Sequence, residues 1–120
     1  MKALFDTNIL IDYLTGYKQA EKEISKYKDP SISVITWMEV LAGTESSEEN
    51  EIKNFLNTFR ILQLTTAIAE EAVSIRKEFK IKLPDSIIWA TARVNGMFLV
   101  TRNIKDFKKS YSGIHIPYKV

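Results

Sequence analysis

Two spacings of apolar residues alternate along this chain. Short apolar runs of the kind found in strands lie at residues 4–5, 31–35, 61–64, 97–100 and 114–116. The segments between them have helical spacing or helical polarity and predict helices over residues 9–14, 18–27, 36–43, 52–59, 66–79 and 84–96, with a helical turn over 103–108. Because strands and helices alternate, right-handed crossovers predict an α/β fold whose mostly parallel sheet is covered by helices on both faces.

Residues with special backbone preferences mark several helix ends. Gly16, Gly43 and Gly96 each follow a helical segment, and glycine readily adopts the left-handed conformation that often closes a helix. Pro84 stands at the favoured early position of a helix. One face of that helix is expected to carry Ile87, Ala90, Thr91 and Val94.

Composition limits the chemistry that a site in this chain can use. Of the 120 residues 45% are hydrophobic, which suffices for one domain over residues 1–120. The chain has no cysteine and one histidine, His115, so a zinc site of the Cys/His type cannot form. Any bound cation must be held mainly by oxygen atoms, which favours Mg²⁺ or Mn²⁺. We expect His115 to lie in the last strand region without a chemical role.

Charge and the amino terminus exclude other classes of protein. The apolar stretch at the start ends at Asp6, which is too short for a signal peptide or a membrane span, so we expect a cytoplasmic protein that does not bind membranes. The net charge of +2 permits nucleic-acid binding but does not argue for it.

Four acidic residues stand near predicted element ends. Asp6, Glu39 and Asp106 follow predicted strands, and Asp85 begins a helix directly after Pro84. The carboxyl ends of parallel strands share one edge of a sheet, where ligands of α/β proteins bind, so these acids can converge there. Clustered carboxylates repel one another unless a cation compensates them, and a hard divalent ion suits a site that meets a phosphodiester.

Each of these acids also has an explanation as a helix cap. Asp6 can cap the helix that follows it, and Thr36 with Glu39 has the form of a capping box. Asp85 suits the dipole of its helix, and Asn103 with Asp106 resembles a cap as well. The other acids stand mostly in polar runs and are expected to be solvated, namely Glu21, Glu23, Glu45, Glu48, Glu49 and Glu51.

Four segments in order, which together extend over nearly the whole chain, match a known pattern: residues 4–8 (LFDTN), 37–43 (WMEVLAG), 83–92 (LPDSIIWATA) and 99–107 (LVTRNIKDF). In these segments the chain resembles the PIN domain family and, within it, the VapC-type toxin ribonucleases of toxin–antitoxin pairs. The resemblance implies a PIN-like three-layer domain, a need for Mg²⁺ or Mn²⁺ and endonucleolytic cleavage of RNA.

The resemblance also assigns roles to individual residues. Asp6 and Asp85 would be the main metal ligands, and Glu39 and Asp106 would complete the pocket. Asn103 stands where some relatives place an acid, so either it or Asp106 completes the site. Thr101 would join Asn103 in tying the last loop to the site, and Thr7 or Asn8 would do so for the first.

The family further implies a homodimer and an antitoxin whose tail occupies the acidic groove, with a basic side chain that reaches the carboxylates. The apolar side chains Tyr13, Trp37, Met38 and Phe55 offer contact surface for such partners, but for any one of them plain core packing is the favoured explanation. Two groups of basic residues are candidates for contact with RNA phosphates: Arg76, Lys77, Lys80 and Lys82, or Arg102, Lys105, Lys108 and Lys109. A solvated basic face is the alternative explanation for either group.

Two other functions compete with a ribonuclease. A signalling receiver domain needs an aspartate at the end of a central strand, but residues 61–64 run into Thr65 and Thr66 instead. A catalytically silent domain of the same fold that only binds RNA or protein remains the alternative.

Overall fold

The strands and helices follow the order that the sequence pattern predicts. The computed structural model describes residues 2–120. Within them the strands are β1 (Ala3–Phe5), β2 (Ser31–Ser33), β3 (Arg60–Leu62), β4 (Phe98–Val100) and β5 (Ile114–His115). The α-helices are α1 (Thr7–Leu14), α2 (Lys18–Ser25), α3 (Val34–Ala42), α4 (Glu49–Leu56), α5 (Thr66–Phe79) and α6 (Leu83–Val94), with a short 3-10 helix at Ser46–Glu48.

The strands form one parallel sheet in the order β3-β2-β1-β4-β5. Leu4 of the central strand β1 is in register with Ser31 of β2 and Leu99 of β4. All five strands therefore end at the same edge of the sheet, and the predicted α/β class with a parallel sheet between helices is confirmed.

Alternating side chains of β1 enter two cores on opposite faces of the sheet. Leu4 packs with Ile75, Trp89 and other residues of α5 and α6. Phe5, one position later, enters the other core, to which α1 and α4 contribute. Successive residues of a strand point to opposite faces, so this buried strand is anchored from both sides.

Several element boundaries differ from the predictions. β2 ends at Ser33, whose hydroxyl accepts a hydrogen bond from the Ile35 amide at 3.0 Å and caps α3. The capping box predicted at Thr36 is therefore wrong, because α3 has already begun. Phe59 lies beyond the end of α4. The predicted turn over 103–108 is one hydrogen-bonded turn, closed by the Phe107 amide on the Asn103 carbonyl at 3.1 Å.

Burial also corrects parts of the pattern. Val94 was expected on one face of α6 with Ala90 and Thr91, which are buried, but it is itself exposed. Ile88 and Trp89 are buried as well, because α6 contacts both α5 and the sheet. Tyr13 and Phe55 stack with their ring centres 4.7 Å apart, so packing accounts for them. No helix in residues 2–120 is long and apolar enough to cross a membrane.

Candidate active site

Asp6 lies at the carboxyl end of the central strand and is almost fully buried. Its carboxylate accepts hydrogen bonds from the Thr7 amide at 2.8 Å, the Thr101 hydroxyl at 2.8 Å and the Asn8 amide group at 3.2 Å. The bond from Thr7 makes Asp6 the N-cap of α1, as the cap interpretation predicted. All three donors are neutral, so the charge of Asp6 has no cationic partner among them.

Thr101, at the end of the neighbouring strand β4, ties the first loop to the last. Its hydroxyl oxygen accepts hydrogen bonds from the Asn8 side chain at 3.2 Å and the Asn103 amide at 3.1 Å. The Oδ1 atom of the Asn8 side chain in turn accepts a hydrogen bond from the Arg102 backbone amide at 3.3 Å. Because Thr101 is fully buried, these bonds fix the loop after β4 against the start of α1.

Glu39 reaches the site from within α3 rather than from its start, which corrects its predicted position at a strand–helix junction. The Thr7 hydroxyl lies 2.6 Å from the Glu39 carboxylate and 3.0 Å from the hydroxyl of Thr36. A hydroxyl has only one proton, so Thr7 donates to Glu39 and accepts from Thr36. Thr36, which is buried, thereby orients the hydroxyl that holds Glu39.

Asp85 stands in the first turn of α6 and is half-buried. Burial raises its pKa, and the negative charges of Asp106 and Glu39 raise it further, while Lys82 acts in the opposite direction. Among residues 2–120 no side chain donates a hydrogen bond to its carboxylate. Asp85 is therefore held near other acids with its oxygen atoms free.

Burial also raises the pKa of Asp6 to about 6 from its usual value of 3.8. The charges of Asp85 and Glu39 act in the same direction, and the hydrogen bonds from Thr101 and Thr7 oppose them. The charged form of Asp6 is thus disfavoured by low polarity around it and by its acidic neighbours.

Asn103 and Asp106 hold each other in the turn after β4. The Asn103 side-chain amide donates to the Asp106 carboxylate at 3.0 Å, and the Asp106 amide donates to the Asn103 side chain at 3.2 Å. Asn103 lines a cavity of about 330 Å³ with the three acids Asp6, Glu39 and Asp85. Asp106 acts on that cavity through its charge, since it raises the pKa of Asp85.

The donor set of this cavity, which we call the acidic cavity, fits a hard divalent cation. Its charged groups are carboxylates, the ligands that Mg²⁺ and Mn²⁺ favour. Across residues 2–120 no three acidic or histidine side chains stand close enough to enclose a metal ion together. Mg²⁺ usually takes one or two protein carboxylates and completes its shell with water and phosphate oxygens, so it does not need three protein acids.

Two residues predicted to contact substrate lie beside the acidic cavity rather than in it. Arg102 directs its guanidinium to the buried Asp12, at 2.5 Å and 3.0 Å, and contact of Arg102 with RNA stays a prediction. Lys105 is exposed and lines an adjoining cavity.

Two buried acids were missed in the sequence. Asp12 also accepts a hydrogen bond from the Tyr118 hydroxyl at 2.8 Å. Glu23, expected in solvent, is buried and pairs with Lys26 at 3.0 Å and His115 at 3.2 Å. The one available signal for Asp12 was a lone charge inside the apolar helix over residues 9–14.

Comparisons with known proteins agree with this geometry. The family model of the PIN domain matches residues 3–111. Ribonuclease VapC10 of Mycobacterium tuberculosis is 32% identical over 112 residues, which cover 87% of this chain and 84% of that protein. The tRNA(fMet)-specific endonuclease VapC of Shigella flexneri is 27% identical, with 91% and 92% covered. A structure described as a toxin–antitoxin complex from Klebsiella pneumoniae superimposes with a TM-score of 0.94 at 43% identity, covering 99% of this chain and all of that one.

Proposed function

The chain belongs to the PIN domain family, and from that premise we propose that it is a metal-dependent endoribonuclease acting as the toxin of a type II toxin–antitoxin pair. The observation that carries the proposal is Asp6, a buried carboxylate without a cationic partner that faces Asp85 and Glu39 across the acidic cavity. The choice of RNA as substrate is supported by the relatives, which are named as a ribonuclease and a tRNA-specific endonuclease.

In this proposal Asp6 and Asp85 hold the Mg²⁺ or Mn²⁺ ion. When bound, the ion supplies positive charge that compensates the carboxylates and stabilises the charge that develops on a phosphodiester during hydrolysis. Thr101 and Asn8 keep the Asp6 carboxylate in one orientation through their hydrogen bonds. A preorganised carboxylate costs little reorganisation when substrate arrives.

Glu39 is the group that we assign to the attacking water. Its carboxylate lines the acidic cavity, and the short hydrogen bond from Thr7 fixes it there. A carboxylate within reach of a water can accept its proton during attack on phosphorus. Asn103 also lines the cavity, and we assign its side-chain amide to donate a hydrogen bond to a phosphate oxygen. The same amide group donates a hydrogen bond to the Asp106 carboxylate, which restrains it.

The proposed partner is an antitoxin that blocks the acidic cavity. The Klebsiella pneumoniae neighbour is described as a toxin–antitoxin complex, and a basic side chain from such a partner would be attracted by the same carboxylates that hold the cation. We also propose a homodimer, following the family, and its test is the mass of the purified protein by light scattering.

The decisive experiment measures cleavage of RNA by the purified chain, free of antitoxin, with Mg²⁺ and with a chelator. Asp85→Asn removes one proposed ligand and is expected to slow cleavage on the order of a hundredfold or more. Asp29→Asn is the matched control, because Asp29 is exposed and pairs only with Arg60 at the surface. Equal rates for the two variants would exclude the proposed site.

A growth assay separates the toxin from a catalytically silent binding domain. Induced expression of the unaltered chain should arrest growth, and expression of Asp85→Asn at the same level should not. Arrest by both forms would favour the silent domain, because a protein that acts only by binding does not depend on the metal ligand.

A further inference from the structure

Two further cavities lie next to the acidic cavity on the surface. The middle cavity, of about 420 Å³, shares Asn8 and Asn103 with the acidic cavity. The outer cavity, of about 470 Å³, shares Ile104 and Lys119 with the middle one. Because each cavity has wall residues in common with the next, the three adjoin one another on the surface, and we call the middle and outer cavities the basic furrow.

The sign of the charge changes where the acidic cavity meets the basic furrow. Three carboxylates line the acidic cavity, whereas the furrow has no acidic side chain among its described wall residues. Its lysines are Lys105, Lys108, Lys109 and Lys119. Within residues 2–120 none of these four takes part in a salt bridge, so their charge is available to a ligand.

The outer cavity also has an aromatic and apolar wall. Ile104, Ile116, Pro117 and Tyr118 line it beside the lysines. The Tyr118 hydroxyl is bonded to the buried Asp12, which restrains the ring. Cations that alternate with a restrained aromatic face are the features that bind single-stranded nucleic acid, because lysines meet phosphates and the ring stacks on a base.

Resting on the proposed ribonuclease function, we propose that the basic furrow holds the single-stranded RNA on one side of the cleaved bond. The scissile phosphate lies in the acidic cavity at Asn103, and the strand continues past Lys105 and Lys119 to Tyr118. Unpaired bases are required for stacking on Tyr118, which selects a single strand rather than a duplex. An acidic protein segment would also be attracted by the lysines of the furrow. It has no bases to stack on Tyr118, so it does not account for the aromatic wall.

Electrostatic contact is tested through the salt dependence of binding. The probe is a fluorescein-labelled single-stranded RNA of mixed sequence, measured by anisotropy with Mg²⁺ in an Asp85→Asn background so that it is not cleaved. The double variant Lys108→Glu/Lys119→Glu should bind at least about tenfold more weakly at low salt. The slope of log K against log salt should flatten by about 1.4, since each lost phosphate contact removes about 0.7 for a single strand.

Lys22→Glu/Lys28→Glu is the matched control. Both lysines are exposed, neither lines the basic furrow, and the change in net charge is the same. This variant should keep the slope of the parent protein. If the salt dependence of RNA binding flattens equally in the two double variants, the effect comes from the overall charge of the protein. That result would overturn the proposal that the furrow binds RNA.

Stacking is tested at Tyr118 by comparing two variants that both lose the hydroxyl bond to Asp12, of which only the alanine variant also loses the ring. Tyr118→Ala should weaken RNA binding about fivefold or more and leave the salt slope unchanged, because a base contact carries no charge. Tyr118→Phe keeps the ring and should bind within about twofold of the parent. If the alanine variant binds as the parent does, no base stacks there and the proposed path is wrong.

Two outcomes separate this proposal from the ribonuclease function on which it rests. If the unaltered chain cleaves RNA with Mg²⁺ but the furrow variants bind RNA normally, only the furrow is refuted. If the unaltered chain does not cleave RNA at all, the function itself fails. A labelled oligoglutamate peptide is the second probe. If the Lys108→Glu/Lys119→Glu variant loses binding of this peptide but binds RNA as the parent does, the furrow belongs to an acidic protein partner and the RNA path is overturned.

Discussion

Asp6 and Asp12 are equally buried, each 3% exposed, yet their surroundings differ in charge. Asp12 is paired with the guanidinium of Arg102 and accepts a hydrogen bond from Tyr118. Asp6 receives hydrogen bonds only from neutral donors and faces two further acids. Within the part of the chain that the structure describes, Asp12 therefore has a cationic partner and Asp6 has none.

The difference indicates what each carboxylate is for. A buried charge is tolerated when it is paired and hydrogen-bonded, and Asp12 meets that condition within the chain. Asp6 meets it only if a cation comes from outside. The two acids therefore predict opposite results when they are replaced, one mainly in activity and the other mainly in stability.

The largest expected effect is on cleavage by Asp6→Asn. Loss of the charge that holds the cation should reduce the rate with Mg²⁺ on the order of a thousandfold, about 4 kcal/mol of transition-state stabilisation. Asp12→Asn should stay within about tenfold of the unaltered chain, because Asp12 does not line the acidic cavity. Initial rates on the same RNA provide the measurement, and comparable losses in the two variants would remove the distinction.

The next effect is on stability at Asp12. Asp12→Ala leaves Arg102 without its partner, and breaking a buried ion pair in this way costs about 3 kcal/mol in the free energy of unfolding. The lower end of the usual range applies, since the Arg102 side chain is 32% exposed and can still reach water. Urea unfolding measures the loss.

The control for this second prediction removes both partners. Asp12→Leu with Arg102→Met leaves no unpaired charge and should recover much of the stability, because apolar replacement of a whole ion pair is often neutral. If Asp12→Ala lowers the free energy of unfolding by less than about 1 kcal/mol, Asp12 does not stabilise the fold as proposed.

These two acids also show how far the sequence could lead. Asp6 follows a short apolar strand, and the rule that parallel strands end at one edge predicted its position. Glu39 and Asp85 line the same cavity, but they reach it from inside α3 and from the first turn of α6. Helix α5 was predicted just as well, since Ile68, Ala72 and Ile75 keep a helical period and are all buried.

The errors have a common physical origin in contacts between distant parts of the chain. The partners of Asp12 lie 90 and 106 positions away, and His115 lies 92 positions from Glu23. Local periodicity carries no information about such pairs, so Glu23 was assigned to solvent. The start of α3 was misjudged because residues 31–35 alternate like a strand, whereas Ser33 ends it with a cap.

A smaller effect is expected in the pH dependence of stability without metal. The pKa of Asp6 is raised to about 6 in the folded protein from 3.8, so between these values the folded state binds more protons than the unfolded chain. Stability is therefore present at low pH and is lost as the pH rises through about 6. Between pH 5 and 7.5 the unaltered chain should lose about 1 kcal/mol more than Asp6→Asn.

Urea unfolding at the two pH values, with a chelator present, measures this difference. Saturating Mg²⁺ should abolish it, because a bound cation stabilises the charged carboxylate. An equal pH dependence for Asp6→Asn and the unaltered chain would mean that Asp6 carries no excess cost when ionised.

The smallest expected effect is on the free energy of unfolding when the contact between His115 and Glu23 is removed. Glu23 is the third buried acid, and this prediction tests whether a buried acid with partners inside the chain has only a structural role. The Glu23 carboxylate is paired with the Lys26 ammonium at 3.0 Å and accepts a hydrogen bond from the Tyr27 hydroxyl at 3.1 Å. His115, whose side chain is 44% exposed, adds only one further hydrogen bond, at 3.2 Å. His115→Ala should therefore lower the free energy of unfolding by only about 0.5 kcal/mol. RNA cleavage should be unchanged, since His115 lines a separate cavity with Tyr27, Phe98 and Ile114. A tenfold slower cleavage by a stable His115→Ala protein would contradict this, because it would connect an internally paired acid to the chemistry.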